Sequence, residues 1–313
     1  ENPSATLWVD GDYVTPKTGS QSAYYCIGNM KGTVVLPRSF TAVGMYSFSD
    51  MKNMKAILLG DKVTHISNYA FSGCTGLQAI TLPVKLERLS DGVFRGCKAL
   101  KTVTFLAEKA DLGATFMECA GLQEIVLPAV GTAKANLFQN CTALKTVVFG
   151  SGTTEIAKDV FAGCKKLTSV TIPESVTTIS EEAFPEGLKK LVIRGAAGSA
   201  AESFAEARGY KFEAVIPAES LTLSETELEI AAGKTAPALK AELLPAEVST
   251  KKLAWASTDE QVATVKDGKV KALQGGECDI YCLATDGSVL RAVCHVTVTE
   301  KVKSLQAAEK KHS

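Results

Sequence analysis

The chain has 313 residues, enough for two domains and a large buried core. Its 34 lysines and arginines balance 34 aspartates and glutamates, which argues against a nucleic-acid partner and against a polybasic membrane surface. Three histidines (His65, His295, His312) leave little for acid–base chemistry or transition-metal binding, and no apolar run reaches the roughly 18 residues that span a bilayer.

The opening stretch, ENPSATLWVDGDY, starts at Glu1 and contains no signal-peptide apolar core, so a processed start with an export signal upstream is expected. Asp10 and Asp12 supply two carboxylates, short of the six to eight oxygens that calcium takes, and Asp10-Gly-Asp12 reads as a turn. From residue 31 the chain repeats. Phe71-Ser-Gly-Cys74 returns as Phe94-Arg-Gly-Cys97, Phe116-Met-Glu-Cys119, Phe138-Gln-Asn-Cys141 and Phe161-Ala-Gly-Cys164, flanked by the degenerate copies Phe48-Ser-Asp-Met51 and Phe184-Pro-Glu-Gly187. The phenylalanines are spaced by 23, 23, 22, 22, 23 and 23 residues. Three residues after each cysteine slot comes Met54, Leu77, Leu100, Leu122, Leu144 or Leu167, with Leu188 displaced in the last copy. Then follows an apolar–x–apolar triplet, such as Ile80-Thr81-Leu82 or Val103-Thr104-Phe105, often closed by proline. Period-two alternation predicts a short strand with one buried face, and proline ends it for want of an amide donor.

A unit this short cannot close its own core, whereas stacked units share one. The fold class expected is mainly β: a solenoid of about eight parallel strands. Val43, Ile66, Leu89, Ile156 and Ile179, each five residues before a phenylalanine, mark a second apolar position. The two 22-residue units lack it in register, so an irregular convex side is expected there. Residues 1–30 would cap one end, with Trp8, Tyr13, Tyr24 and Tyr25 as covering side chains, and residues 195–215 the other.

The pattern L-x-x-I-x-L-P…I-x-x-x-A-F-x-x-C, matched from Leu77 to Cys97 with Val93 in place of alanine, resembles the BspA-type leucine-rich repeat of bacterial surface proteins. The resemblance covers roughly residues 30–195.

Each cysteine occupies one slot of a stacked unit, so successive sulfurs form a linear file about 5 Å apart. Such a file cannot place four ligands around one zinc ion, and inward-pointing thiols do not face one another as a disulfide requires. We read these cysteines as small core hydrophobes and the phenylalanines as a stacked spine. The count of nine cysteines is odd, so at least one is free or pairs between molecules.

After a linker near Ile216–Ser220 the composition shifts to short alternating strands with turns at Asp267-Gly268 and Asp286-Gly287, which predicts a β-sandwich over 216–300, with 301–313 a flexible tail. The residues LTLSETELEI, Leu253-Ala-Trp255-Ala-Ser257, Val262-Ala-Thr-Val265, Gly268-Lys-Val270 and Val296-Thr-Val298 resemble the group-two bacterial immunoglobulin-like domain. The resemblance makes Trp255 the core tryptophan and implies a spacer or adhesion module without catalytic residues. Cys278 and Cys282 share a strand face, with Cys294 on the partner strand; one bond across that hairpin and free buried thiols are both open.

No phosphate loop, HExxH, GxSxG or CxxC occurs, so no catalytic residue, cofactor or metal site is assigned. The candidate site is the outward, concave face of the repeat sheet: Thr81, Thr102, Thr104, Glu124, Val126, Thr146, Val148, Ser169 and Thr171. It is small, β-branched and nearly uncharged, suited to a protein or glycan ligand, although such residues are also simply good strand formers. Lys55, Lys101, Lys145 and Lys189 recur in every second unit, as a docking stripe or as a solvated rim. The reading is a non-catalytic, exported, monomeric, adhesin-like protein at the cell surface, lipid-anchored, with no transmembrane segment. Its array would meet host or neighbouring cells and its Ig-like domain would be the spacer. The alternative is a scaffold component of the envelope.

Overall fold

The computed structural model describes residues 31–300, together with the backbone of two short antiparallel strands, Leu7–Val9 and Asp12–Val14, the first of which lies beside Gly32–Val35. The cap expected over 1–30 and the tail over 301–313 otherwise lie outside the described residues.

The triplets form eight parallel strands: β1 (Gly32–Val35), β2 (Met54–Leu58), β3 (Ala79–Leu82), β4 (Thr102–Phe105), β5 (Glu124–Val126), β6 (Thr146–Val148), β7 (Ser169–Thr171) and β8 (Val192–Gly195). Neighbours pair slot for slot, as in Ala79 with Thr102, Glu124 with Thr146 and Ser169 with Val192. Two-residue strands, from Ala42–Val43 to Thr178–Ile179, form a second parallel ladder on the other arm of each coil.

Both ladders break at the same place: hydrogen bonding stops between β4 and β5, and between Asp111–Leu112 and Thr132–Ala133. The two 22-residue units explain this. Leu112 precedes Phe116 by four residues where Ile156 precedes Phe161 by five, and Leu127 precedes Ala133 by six where Phe149 precedes Ile156 by seven. The apolar slot expected to be lacking in these units is filled, by Leu112 and Ala133, both fully buried. A missing residue is absorbed by the backbone, because a cavity in the shared core costs more than two interrupted hydrogen-bond ladders.

The phenylalanines stack as a spine, with successive centroids 5.4, 5.7, 5.6, 5.6, 5.7 and 4.8 Å apart from Phe48 to Phe184. In the turn that each of the first six opens, the third residue (Asp50, Gly73, Gly96, Glu118, Asn140 or Gly163) has positive φ, and the first five of these send their amides to the next coil, as Gly73 N–H does to Arg95 O at 2.8 Å. Glycine takes this conformation without strain, and at Gly73 a Cβ would also displace the Asp50 carboxylate, whose Oδ1 would lie at 2.2 Å.

Helix α1 (Ala200–Arg208), ended by Gly209 in the left-handed region, and β9 (Lys211–Ala214), parallel to β8, cover the last coil. Phe204 and Tyr210 lie 5.5 and 6.2 Å from Phe184, so the spine ends on aromatic rings.

The second unit comprises β10 (Ser220–Leu223), β11 (Glu227–Ala231), β12 (Ala241–Leu244), β13 (Leu253–Ser257), β14 (Ala263–Lys266), β15 (Lys269–Ala272), β16 (Gly276–Ala284) and β17 (Arg291–Thr299). Its main sheet runs β11-β17-β16-β13, with β10 paired to β12 and β14 to β15. Asp267 and Gly268 both have positive φ, the two-residue turn that matches strand twist. Ile230, Val262, Val270, Ile280, Val296 and Val298 fill the core, and half-buried Trp255 packs between this cluster and a second one around Leu221 and Cys282.

Replacing Phe116 with alanine removes two stacking partners at 5.6 Å and leaves a cavity mid-spine. The expected loss is about 3–5 kcal/mol. It is read as a lowered midpoint in chemical denaturation; a change no larger than that of a surface substitution would contradict the spine.

Candidate functional site

The residues that carry chemistry elsewhere are withdrawn from it here. Cys97, Cys119, Cys141 and Cys164 are fully buried free thiols. Each cysteine Sγ donates to a phenylalanine carbonyl one coil earlier: Cys74 to Phe48 O at 2.9 Å, Cys97 to Phe71 O at 3.1 Å, and Cys119, Cys141 and Cys164 to Phe94, Phe116 and Phe138 O at 3.0 Å. The slot therefore combines small apolar volume with a proton donor for a buried carbonyl, a double requirement that alanine or valine does not meet. Burial pushes these thiols up, Cys164 to about 12 and Cys97 and Cys119 well above the ordinary 9.0. A thiol held protonated is a poor nucleophile and a poor metal ligand.

In the sandwich, Cys278, Cys282 and Cys294 are also free and buried. Cys294 pairs across the hairpin with Ile280, so no cysteine sits directly opposite it. His65 and His295 are exposed strand residues; the hydrogen bond that His295 Nδ1 donates to Asp279 Oδ1 at 2.9 Å raises the pKa of His295. Among the described residues no cluster of three metal-ligating side chains occurs, and no helix is long and apolar enough to cross a membrane.

The predicted face residues converge on one place. Thr102, Thr104, Glu124, Val126, Thr146, Val148, Ser169 and Thr171 line a single cleft of about 400 Å³, while Thr81 sits apart in a small recess beside Ser257 and Thr258. Their positions follow from alternation: Val103, Ile125, Val147 and Val170 point into the core, so the residues between them face out. Val148 departs from the expectation. It is only 8% exposed, because the loop around Gly287 lies over it. The lysine row Lys55, Lys101, Lys145 and Lys189 is exposed along the rim.

The other wall of the cleft is the sandwich, contributing Thr250, Lys252, Ala254, Leu283, Thr285, Leu290 and Arg291. This corrects the spacer arrangement expected for the Ig-like domain: it is folded back along the carboxyl ends of the array strands. Leu106, just past β4, is buried with Ala256 and Tyr281, with Val84 and Leu283 packed beside them. Gly287 O accepts from Ser151 N–H at 2.7 Å. Arg291 Nε pairs with Glu108 at 3.1 Å, its Nη1 donates to Leu106 O, and its guanidinium lies 5.9 Å from the Tyr281 ring centre. Lys252 pairs with Glu124 at 2.8 Å, and Arg38 with Asp259. Exposed pairs of this kind add about 0–1 kcal/mol each, so the apolar patch and Arg291 carry the docking. One signal in the sequence pointed to it. The residue after each apolar–x–apolar triplet is Pro37, Gly60, Pro83, Leu106, Pro128, Gly150, Pro173 or Arg194, and Leu106 alone is a large aliphatic.

The thiol file has a pH consequence. In the unfolded chain the thiols ionise near pH 9, whereas in the fold Cys164 keeps its proton to about 12. The folded state then binds more protons, so this stability is complete below pH 9 and falls above it by about 1.4 kcal/mol per pH unit per thiol. Urea unfolding between pH 9 and 11 measures the slope. Replacing Cys119 and Cys141 with alanine should flatten it, and an unchanged slope would contradict the shifts.

Comparison with known proteins agrees with this architecture. The BspA type leucine-rich repeat region matches residues 17–133 and 112–224, in six copies, and the group-two bacterial Ig-like domain matches residues 217–296. Among solved structures, the chain is similar to a leucine-rich repeat protein from Eubacterium ventriosum, at 24% identity over 58% of this chain and 50% of that one, TM-score 0.49. It is similar to the T. pallidum leucine-rich repeat protein, at 21% identity over 61% of this chain and 89% of that one, TM-score 0.37. A leucine-rich cell surface protein from Faecalibacterium prausnitzii matches at 17% identity over 65% of this chain and 97% of that one, TM-score 0.22. The chain thus spans half the length of the Eubacterium ventriosum protein. No curated relative matches it. With the repeat pattern covering well over half its length, the chain belongs to the BspA-type leucine-rich repeat family and carries a group-two bacterial Ig-like domain behind its repeats.

Proposed function

We propose that this is a non-catalytic, exported binding protein of a bacterial surface, in which the array over 31–215 holds a protein or glycan ligand on its sheet face. The observation that carries the reading is the cleft: seven outward residues of β4 to β7, mostly hydroxylated or β-branched, open into one space of about 400 Å³, with the buried Val148 at its edge. A cleft of that size lies within the range of about 300–1,000 Å³ usual for ligand sites. The two exposed histidines stand outside it, and the array thiols are buried. Repeat arrays and Ig-like modules of these families are typically non-catalytic, and both belong to bacterial surface proteins.

Labelled full-length protein, applied to arrays of extracellular-matrix proteins and of glycans, tests this. Retention on one class is expected, weakened at least tenfold by Thr146→Asp with Thr171→Asp. Equal retention of the double variant would remove the face from the account. Absence of retention, with co-purification of envelope components, would make the protein a scaffold.

A further inference from the structure

The cleft has two walls, and the sheet face is only one of them. Taking that face as the binding surface, we propose that the ligand site is composite, and that its occupant is an extended, acidic peptide segment held between the sheet and the Ig-like domain.

Three observations converge on this occupant. First, hydroxyls stand on both walls: Thr146, Ser169 and Thr171 on the floor and Thr250 on the roof, beside Thr285, whose own proton goes to Lys252 O at 2.7 Å. Aliphatic Val126, Ala254, Leu283 and Leu290 lie between them. Hydroxyls donate and accept in turn, which suits the alternating N–H and C=O groups of an extended main chain; the aliphatic patches take small side chains. Second, the sole aromatic residue of the lining, Phe105, is buried at 7% exposure, so no ring is offered for a sugar to stack on. Third, the charge is lopsided. Lys101, Arg194, Lys252 and Arg291 line the cleft against two carboxylates, Glu108 and Glu124. Glu213, outside the cleft, takes part of the Arg194 charge at 2.8 Å, and still four cations meet three carboxylates. Lys101 is exposed and makes no ion pair among the described residues. Lys252 and Glu124 are 65% and 64% exposed, so a ligand carboxylate can take the place of Glu124 at small cost.

The domain that looks like a spacer thereby becomes a jaw. Arg291, tied to Glu108 and to the Leu106 carbonyl, fixes the roof, while Lys252 reaches over the floor toward Glu124.

A phage-displayed library of random dodecapeptides, selected on full-length protein, tests the proposal. Selected peptides should be enriched in aspartate and glutamate and should bind more weakly as salt rises. Ala254→Trp, which fills the cleft from the roof, and Thr146→Trp, which fills it from the floor, should each weaken binding at least tenfold, with unchanged unfolding midpoints. If Thr146→Trp abolishes binding but Ala254→Trp leaves it within twofold, the composite site falls while the sheet face stands as the binding surface. If both variants bind normally, both readings fall. Selection of basic or neutral peptides, or binding of a sulfated tetrasaccharide in preference to any peptide, would overturn the acidic-peptide occupant.

Discussion

Every coil of the array must place the same kind of side chain at the same height, because its core is shared with the coils on either side. That stacking constraint governs the rest of the molecule. It lines up seven phenylalanines into a spine with centroids about one strand spacing apart. It also creates a row of buried carbonyls at the phenylalanine positions, and the cysteine thiols answer it with proton donors. Where the sequence drops a residue, near Phe116 and again before Ala133, the hydrogen-bond ladders break and the packing persists. Packing continuity therefore outranks backbone pairing in this solenoid.

The same constraint produces the candidate site. Filling the core with every second strand residue turns the intervening ones outward, and parallel pairing lays those residues out as a flat grid of hydroxyl and β-branched side chains. The carboxyl ends of the strands form a long edge where pairing stops and proline or glycine turns the chain away. The Ig-like domain lies along that edge, from Arg38–Asp259 near the first coil to Ser151–Gly287 near the sixth. The array supplies a rigid floor and the sandwich a roof, and the space between them is the cleft.

Much of this was legible in the sequence. The recurrence of Phe-x-x-Cys gave the coil, and alternation separated Val103 and Ile125 from Thr104 and Val126. The rest was hidden for physical reasons. A thiol's hydrogen bond to a carbonyl one coil away depends on backbone placement that spacing alone does not reveal. Leu112 was overlooked because one residue is missing between it and Phe116, and Ala133, five residues before Phe138, because alanine is a weak apolar signal; both are fully buried. The docking of the sandwich involves Leu106, Ala256, Tyr281 and Arg291, which share no period and lie far apart in the chain. Only the apolar Leu106, at a position otherwise held by proline, glycine or arginine, hinted that something covers the edge.

The claim on which the functional reading turns is that the sandwich rests on the array in solution. Small-angle X-ray scattering of the full chain tests it most directly. The docked arrangement predicts the pair-distance distribution of one compact particle, and predicts that Arg291→Ala, which removes the Glu108 and Leu106 contacts, broadens it. A two-lobed distribution for the unaltered chain, with the Ig-like domain extended beyond the last coil, would contradict it.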